Sequence, residues 1–110
     1  KVCIDELAAE TGMFATYASA IKFGGGSYGI GLLSKEIPLS SCVLPLVSSG
    51  EARRLLVVEF QDCVVCCTHF PLDEDSRMSS AYILCNALRD CKKPLFLLLF
   101  QCYNYHNSNF

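Results

Sequence analysis

Arg53-Arg54-Leu55-Leu56-Val57-Val58-Glu59-Phe60-Gln61-Asp62-Cys63-Val64-Val65-Cys66-Cys67-Thr68-His69-Phe70-Pro71 is the stretch that decides how this chain folds. Two nearly unbroken apolar runs meet at a polar turn, and the second delivers Thr68 and His69 to its far end. Each run has the length of a strand, is rich in β-branched residues and lacks polar alternation. That pattern predicts strands covered on both faces rather than half in water. Core packing alone does not call for a histidine at the end of such a run, so the Thr68-His69 pair is a candidate site.

Composition bounds the rest. A chain of 110 residues, 52% hydrophobic and 18% charged, predicts one domain with a buried core and excludes general disorder. Nine basic against eleven acidic side chains give a net charge of -2, which leaves no broad footprint for nucleic acid or an anionic membrane. The chain starts at Lys1, shows no charged-then-apolar leader, and has no apolar run near the ~18 residues that span a bilayer. A soluble, cytoplasmic protein is expected, whose first residue need not be that of its gene. The eight cysteines sit inside apolar runs instead of punctuating loops, which predicts reduced, buried thiols. Cys63 and Cys66 have formal CxxC spacing, yet residues three apart in a strand point to opposite faces and cannot converge on one zinc.

Working outward, Ile4 to Glu10 carries Ile4, Leu7 and Ala8 at helical spacing and stops at Thr11-Gly12. Met13 to Phe23 and Tyr28 to Lys35 predict a hairpin turning at Gly24-Gly25-Gly26-Ser27. Leu39 to Leu46, flanked by Pro38 and holding Pro45, suits a sheet edge, because proline cannot donate to a ladder. Ser48-Ser49-Gly50-Glu51 is a loop. After Pro71 the period changes. Asp73-Glu74-Asp75 places acid in a first turn, Met78, Ala81, Tyr82, Cys85 and Leu88 follow at helical spacing, and Lys92-Lys93 supplies charge where the helix should end. Leu95 to Phe100 is a further strand, so strand, helix and strand form a crossover unit.

Gly24, Gly26 and Gly29 match G-x-G-x-x-G literally, but Ile30-Gly31-Leu32-Leu33 continues as strand where the dinucleotide fingerprint needs a helix, so a hairpin turn is the better reading. The acids at Asp73, Glu74 and Asp75 serve the helix dipole better than a metal. His106 lies in a polar tail and carries no specific role. His69 is different, because imidazole serves readily in acid-base and phosphate-contact roles.

Tyr28-Gly29-Ile30-Gly31-Leu32-Leu33-Ser34-Lys35, then Arg53 opening a strand, Thr68-His69-Phe70 closing the next, Arg77 early in a helix and Lys93-Pro94-Leu95-Phe96-Leu97 on a following strand resemble the endonuclease/exonuclease/phosphatase family. The resemblance runs from about Ile4 to Leu97. It implies part of a four-layer α/β sandwich of the DNase I-like kind, mostly antiparallel sheet with outer helices, which suits strands apolar on both sides. It implies hydrolysis of phosphodiesters or phosphomonoesters with a divalent ion, Mg²⁺ or Mn²⁺. His69 would contact the scissile phosphate as the catalytic histidine, Arg53 would stabilise the same anion, and Ser34, Lys35, Thr68 and Arg77 would support the site.

The chain also departs from that family. Its metal-binding glutamate belongs to a Gln-Glu strand upstream of Ile4, its Gly-Asp-x-Asn motif falls where this sequence has Leu99-Phe100-Gln101-Cys102, and its Ser-Asp-His motif falls beyond Phe110. No metal ligand is therefore assigned in this chain. A one-base shift in the codons for Phe100 to His106 can restore Phe-Asn-Ala, so the tail from about Leu99 is expected to be out of frame. The expectation is a phosphoesterase fragment, impaired or inactive alone, with a phosphate ester as ligand and self-association through an exposed sheet. The alternative is a small non-catalytic α/β module that binds a protein or an anionic ligand.

Overall fold

A computed structural model of the chain describes residues 3–23, 26–46, 53–71 and 73–100. The elements run α1 (Cys3–Thr11), β1 (Phe14–Phe23), β2 (Gly26–Ser34), β3 (Ser40–Leu46), β4 (Arg53–Glu59), β5 (Val64–His69), α2 (Glu74–Leu88) and β6 (Leu95–Phe100). They form a mixed α/β domain of two helices and two sheets. One sheet is the β1-β2 hairpin, and the other has the order β3-β4-β5-β6.

The quoted stretch is the middle of the larger sheet. β4 and β5 pair antiparallel from Leu55 opposite Thr68 to Glu59 opposite Val64, and the Phe60 amide closes the turn on the Cys63 carbonyl at 2.8 Å. Both faces are covered, as the absence of polar alternation predicts. Leu56, Val58 and Cys67 join Ala18 in one core cluster beneath the hairpin. Leu55, Val64 and Cys66 join Leu46 in a second cluster beneath α2. Side chains alternate between the two clusters along each strand, the period of two that a pleated backbone imposes. Each Leu or Val buried this way contributes about 1.5–3 kcal/mol, so the central pair of strands anchors both layers.

β3 is an edge strand, paired with β4 from Ser40 opposite Glu59 to Leu46 opposite Arg53, and Pro45 is accommodated there as expected. β6 lies on the other side of β5 and runs parallel to it, from Leu95 opposite Val64 to Phe100 opposite His69. A parallel pair cannot be joined by a tight turn, and α2 is the crossover. The hairpin strands pair in register from Phe14 opposite Ser34, with a bulge between Ser19 and Ile21. Its turn glycines Gly24 and Gly25, and the expected loop at Ser48 to Glu51, lie outside the described residues. β2 begins at Gly26, so a strand and not a helix follows the glycines.

The first helix ends as its sequence requires. Gly12 adopts a φ of 72°, and its amide reaches the Ala8 carbonyl at 2.9 Å while the Thr11 hydroxyl donates to the Leu7 carbonyl at 2.6 Å. Ile30 and Leu32 face the sheet, so Gly31 faces outward, where a Cβ would meet the Ile4 side chain of α1. Packing therefore runs from α1 through the hairpin and the four-stranded sheet to α2.

α2 differs from its expected form in two respects. The face expected to be buried includes Met78, Tyr82 and Cys85, and all three are exposed. Leu88 packs as expected, and the helix otherwise docks through Ile83 and Leu84, with Ser76 and Ser80 buried. Apolar residues are spread around this helix, so spacing alone selects no stripe, and small serines allow the closer approach to a flat sheet. The helix also ends at Leu88 with no basic residue in its last turn. Lys93 has a different partner, described below. At the other end Asp73 is the N-cap, its carboxylate accepting the Ser76 amide at 2.9 Å, and Glu74 and Asp75 occupy the first turn.

Candidate functional site

The register of β4 and β5 decides which polar groups meet. Antiparallel pairing that sets Leu55 opposite Thr68 brings the start of β4 to the end of β5. There the Arg53 Nη1 lies 2.8 Å from His69 Nδ1, both residues half-buried. A guanidinium has no acceptor, so it donates and Nδ1 accepts. The ring proton of His69 then sits on Nε2, and the imidazole is neutral. Arginine places its positive charge beside a neutral N–H donor, an arrangement that suits an anion with several oxygens, since a planar guanidinium and a second N–H can each take one.

Thr68 fixes this corner from below. Its side chain is fully buried, and its hydroxyl donates to the Arg54 carbonyl at 2.8 Å. That bond ties the residue before His69 to the residue after Arg53. Arg77 is half-buried in the first turn of α2, on the segment that follows His69 and Pro71. The helix N-terminus near it is already capped by Asp73.

Ser34 and Lys35 are not brought to this corner. They line a shallow depression of about 360 Å³ with Phe60, Cys63 and Val65, at the β4–β5 turn. From Val65 to His69 the strand rises by about 13 Å, so the Ser34-Lys35 end and the Arg53-His69 end are opposite ends of the sheet. Ser34 spends its hydroxyl locally, on the Glu36 carbonyl at 2.8 Å.

A second polar cluster, at that same turn end, was not anticipated. Lys93 Nζ makes a 2.7 Å ion pair with Glu59 and donates to the Phe60 carbonyl at 2.9 Å, while the Ser40 hydroxyl donates to the other Glu59 oxygen at 3.2 Å. The Lys93 and Ser40 hydrogen bonds hold the Glu59 carboxyl below its ordinary pKa. The cluster lines a cleft of about 580 Å³ with Asp90, Cys91 and Lys92. Its only sequence signal is a glutamate ending an apolar run opposite a lysine before a proline, which does not reveal the pairing. The contact ties β3, β4 and the start of β6 together and has the character of a structural clasp.

Cys42, Cys63, Cys66, Cys67, Cys85 and Cys91 carry free thiols, but the expected burial is found only at Cys66 and Cys67; Cys63 and Cys91 are half-buried, and Cys42 and Cys85 are exposed, on the edge strand and on the outer side of α2. Cys63 and Cys66 belong to opposite core clusters, so the CxxC spacing forms no common site. Burial pushes the Cys66 thiol up to about 11 and also raises Cys67, which keeps both protonated and unreactive. Among the described residues no group of three or more His, Cys, Asp or Glu side chains is arranged to hold a metal ion. The described residues by themselves thus assemble no divalent-ion site of hard oxygen ligands. Among the described residues, no helix is long and apolar enough to cross a membrane. No protein-family model, curated protein or solved structure matches the chain.

Proposed function

We propose that this chain is a fragment of a divalent-metal-dependent phosphoesterase of the endonuclease/exonuclease/phosphatase kind, holding the phosphate-contacting corner of such a site and impaired or inactive by itself. The observation that carries this reading is the 2.8 Å contact between Arg53 and His69 at the end of a strand buried on both faces. Two further features support it. The order of packing, helix on hairpin on sheet on helix, is the order expected of a four-layer sandwich. The parallel β5-α2-β6 crossover follows directly on His69. In this reading the Arg53 guanidinium supplies charge and the His69 Nε2–H supplies a directed hydrogen bond to one phosphate oxygen.

A second reading rests on the same Arg53-His69 corner. A small non-catalytic module would use the same corner to bind an anionic ligand or an acidic segment of a protein, with no turnover. The two are separated by one pair of measurements. Inorganic phosphate and a phosphodiester are titrated into the chain by NMR, and hydrolysis of an activated phosphodiester is followed with Mg²⁺ or Mn²⁺. Binding that weakens about tenfold in His69→Ala, the effect of one lost charge-assisted hydrogen bond, supports the corner in either reading. Metal-dependent turnover abolished by His69→Ala selects the phosphoesterase. Binding without turnover leaves the fragment and the module, and the coding sequence then decides between them. No binding by the intact chain removes both.

A further inference from the structure

The cleft at the turn end of the larger sheet carries a thiol on each of two walls. Cys42 is exposed on the edge strand β3, Cys91 is half-buried in the connection from α2 to β6, and both line the same space of about 580 Å³. Register fixes the first wall. Cys42 pairs with Val57 and Val57 with Cys66, so the three form one row across β3, β4 and β5. Directly opposed residues share a face, and Val57 and Cys66 pack beneath α2, which places Cys42 on the α2 face as well. Cys91 packs against that cluster from the helix side. The clasp sets the spacing of the walls. Ser40, two residues before Cys42, and Lys93, two residues after Cys91, bond the same Glu59 carboxylate. Both sulfurs also add to the cost of ionising Cys66, in the buried row under the cleft.

We infer that Cys42 and Cys91 are a reversible disulfide pair whose oxidation draws the two walls of the cleft together. The other described cysteines are placed differently: Cys63 and Cys67 belong to the opposite cluster, Cys66 is buried, and Cys85 is on the outer side of α2. The oxidant is a small disulfide R–S–S–R such as glutathione disulfide. The exposed Cys42 thiolate attacks one of its sulfurs, forming a mixed disulfide and releasing R–S⁻. Cys91 thiolate then attacks the Cys42 sulfur, the mixed disulfide breaks, and the second R–S⁻ leaves. Two protein thiols have lost two electrons and two protons, and the oxidant has become two R–SH.

The bond requires Cα atoms within about 7 Å, so the cleft must narrow for it to close. Its walls can move. β3 is an edge strand, and Cys91 lies between α2 and β6 rather than within either. A bond held against the opening of its own cleft is readily reduced, the behaviour of a switch rather than of a staple. The pair is independent of the Arg53-His69 corner, at the other end of the sheet.

The test treats the folded chain, at low concentration, with glutathione disulfide, alkylates the remaining thiols and maps the product by mass after tryptic digestion. Cleavage after Lys35 and Arg53 isolates Cys42, and cleavage after Arg89 and Lys92 isolates Cys91, so each possible pairing gives a distinct product. A bridge between residues 36–53 and 90–92 is expected, lighter by two hydrogens and reversed by dithiothreitol. Hydrogen exchange at Ser40 to Cys42 should slow on oxidation and recover on reduction. Cys91→Ser should stop at the mixed disulfide on Cys42, raising its share about tenfold over the unmodified chain, where the neighbouring thiol displaces it. Cys85→Ser should change nothing. In denaturant the eight cysteines should pair without this preference. Mixed disulfides with no bridge, a dominant bridge to any other cysteine or between two copies, or the same preference in the denatured chain would each overturn the inference.

Discussion

Thr68 offers a way to separate the stability of the corner from its geometry. Its buried hydroxyl bonds the Arg54 carbonyl at 2.8 Å, one residue from each member of the Arg53-His69 pair. Thr68→Val keeps the shape and removes the hydroxyl, which costs about 1 kcal/mol, the net worth of one hydrogen bond. Thr68→Ser keeps the hydroxyl and removes a buried methyl, which also costs about 1 kcal/mol. In a domain of this size either change lowers Tm by roughly 4 °C. The two variants are thus matched in stability and differ in whether β4 and β5 remain tied beside the site. Thermal unfolding followed by phosphate titration should give equal losses in Tm, with several-fold weaker binding in Thr68→Val only. Equal binding in the two variants, or weaker binding in Thr68→Ser alone, would show that the hydroxyl does not position Arg53 and His69.

Asp73→Ala removes the cap from α2 and should cost about 1 kcal/mol in denaturant unfolding, with Asp73→Asn losing less. Cys66 ionises near 11 in the folded chain against an ordinary 9.0, so the unfolded state releases its proton first as pH rises. Its contribution to stability is full below pH 9.0 and disappears as pH climbs to about 11; Cys66→Ala should flatten that alkaline decline in denaturation measured at stepped pH. Glu59 behaves in the opposite sense. Its lowered pKa makes its contribution present above pH 4.5 and lost as pH falls through the folded value; Lys93→Met should shrink that acid dependence in the same series, leaving the part that Ser40 supplies.

Local signals carried most of the fold. Unbroken β-branched runs identified β4 and β5 as strands buried on both sides, Gly12 and Asp73 marked helix ends through backbone geometry, and Pro45 assigned β3 to an edge. Each of these is a property of a few neighbouring residues. The docking face of α2 was not legible, because Met78 and Tyr82 compete with Ile83 and Leu84 in a helix with apolar residues on several sides, and only the sheet beneath decides. His69 was legible as an unexpected polar residue at a strand end. Register brings the start of β4 beside His69 but sets Arg54 opposite it, so the contact with Arg53 was not legible and is decided by how the arginine side chain reaches across. Glu59 and Lys93 were missed because 34 positions separate them and their meeting depends on the crossover through α2. Ser34 and Lys35 adjoin that clasp end for the same topological reason: the short connection from β2 to β3 holds them where β4 finishes.

Cys66 and Cys67 stand side by side in β5, yet one is sealed beneath α2 and the other beneath the hairpin. Neither thiol can meet a reagent until its own layer lifts. Adjacent residues thus form a pair of clocks on opposite sides of a single strand. Alkylation of Cys66 times the departure of the helix, and alkylation of Cys67 times the departure of the hairpin. Pulse labelling under native conditions, read by mass after proteolysis, would give the order in which the domain comes apart. The chain carries the probes for that experiment already, with no cysteine to be introduced.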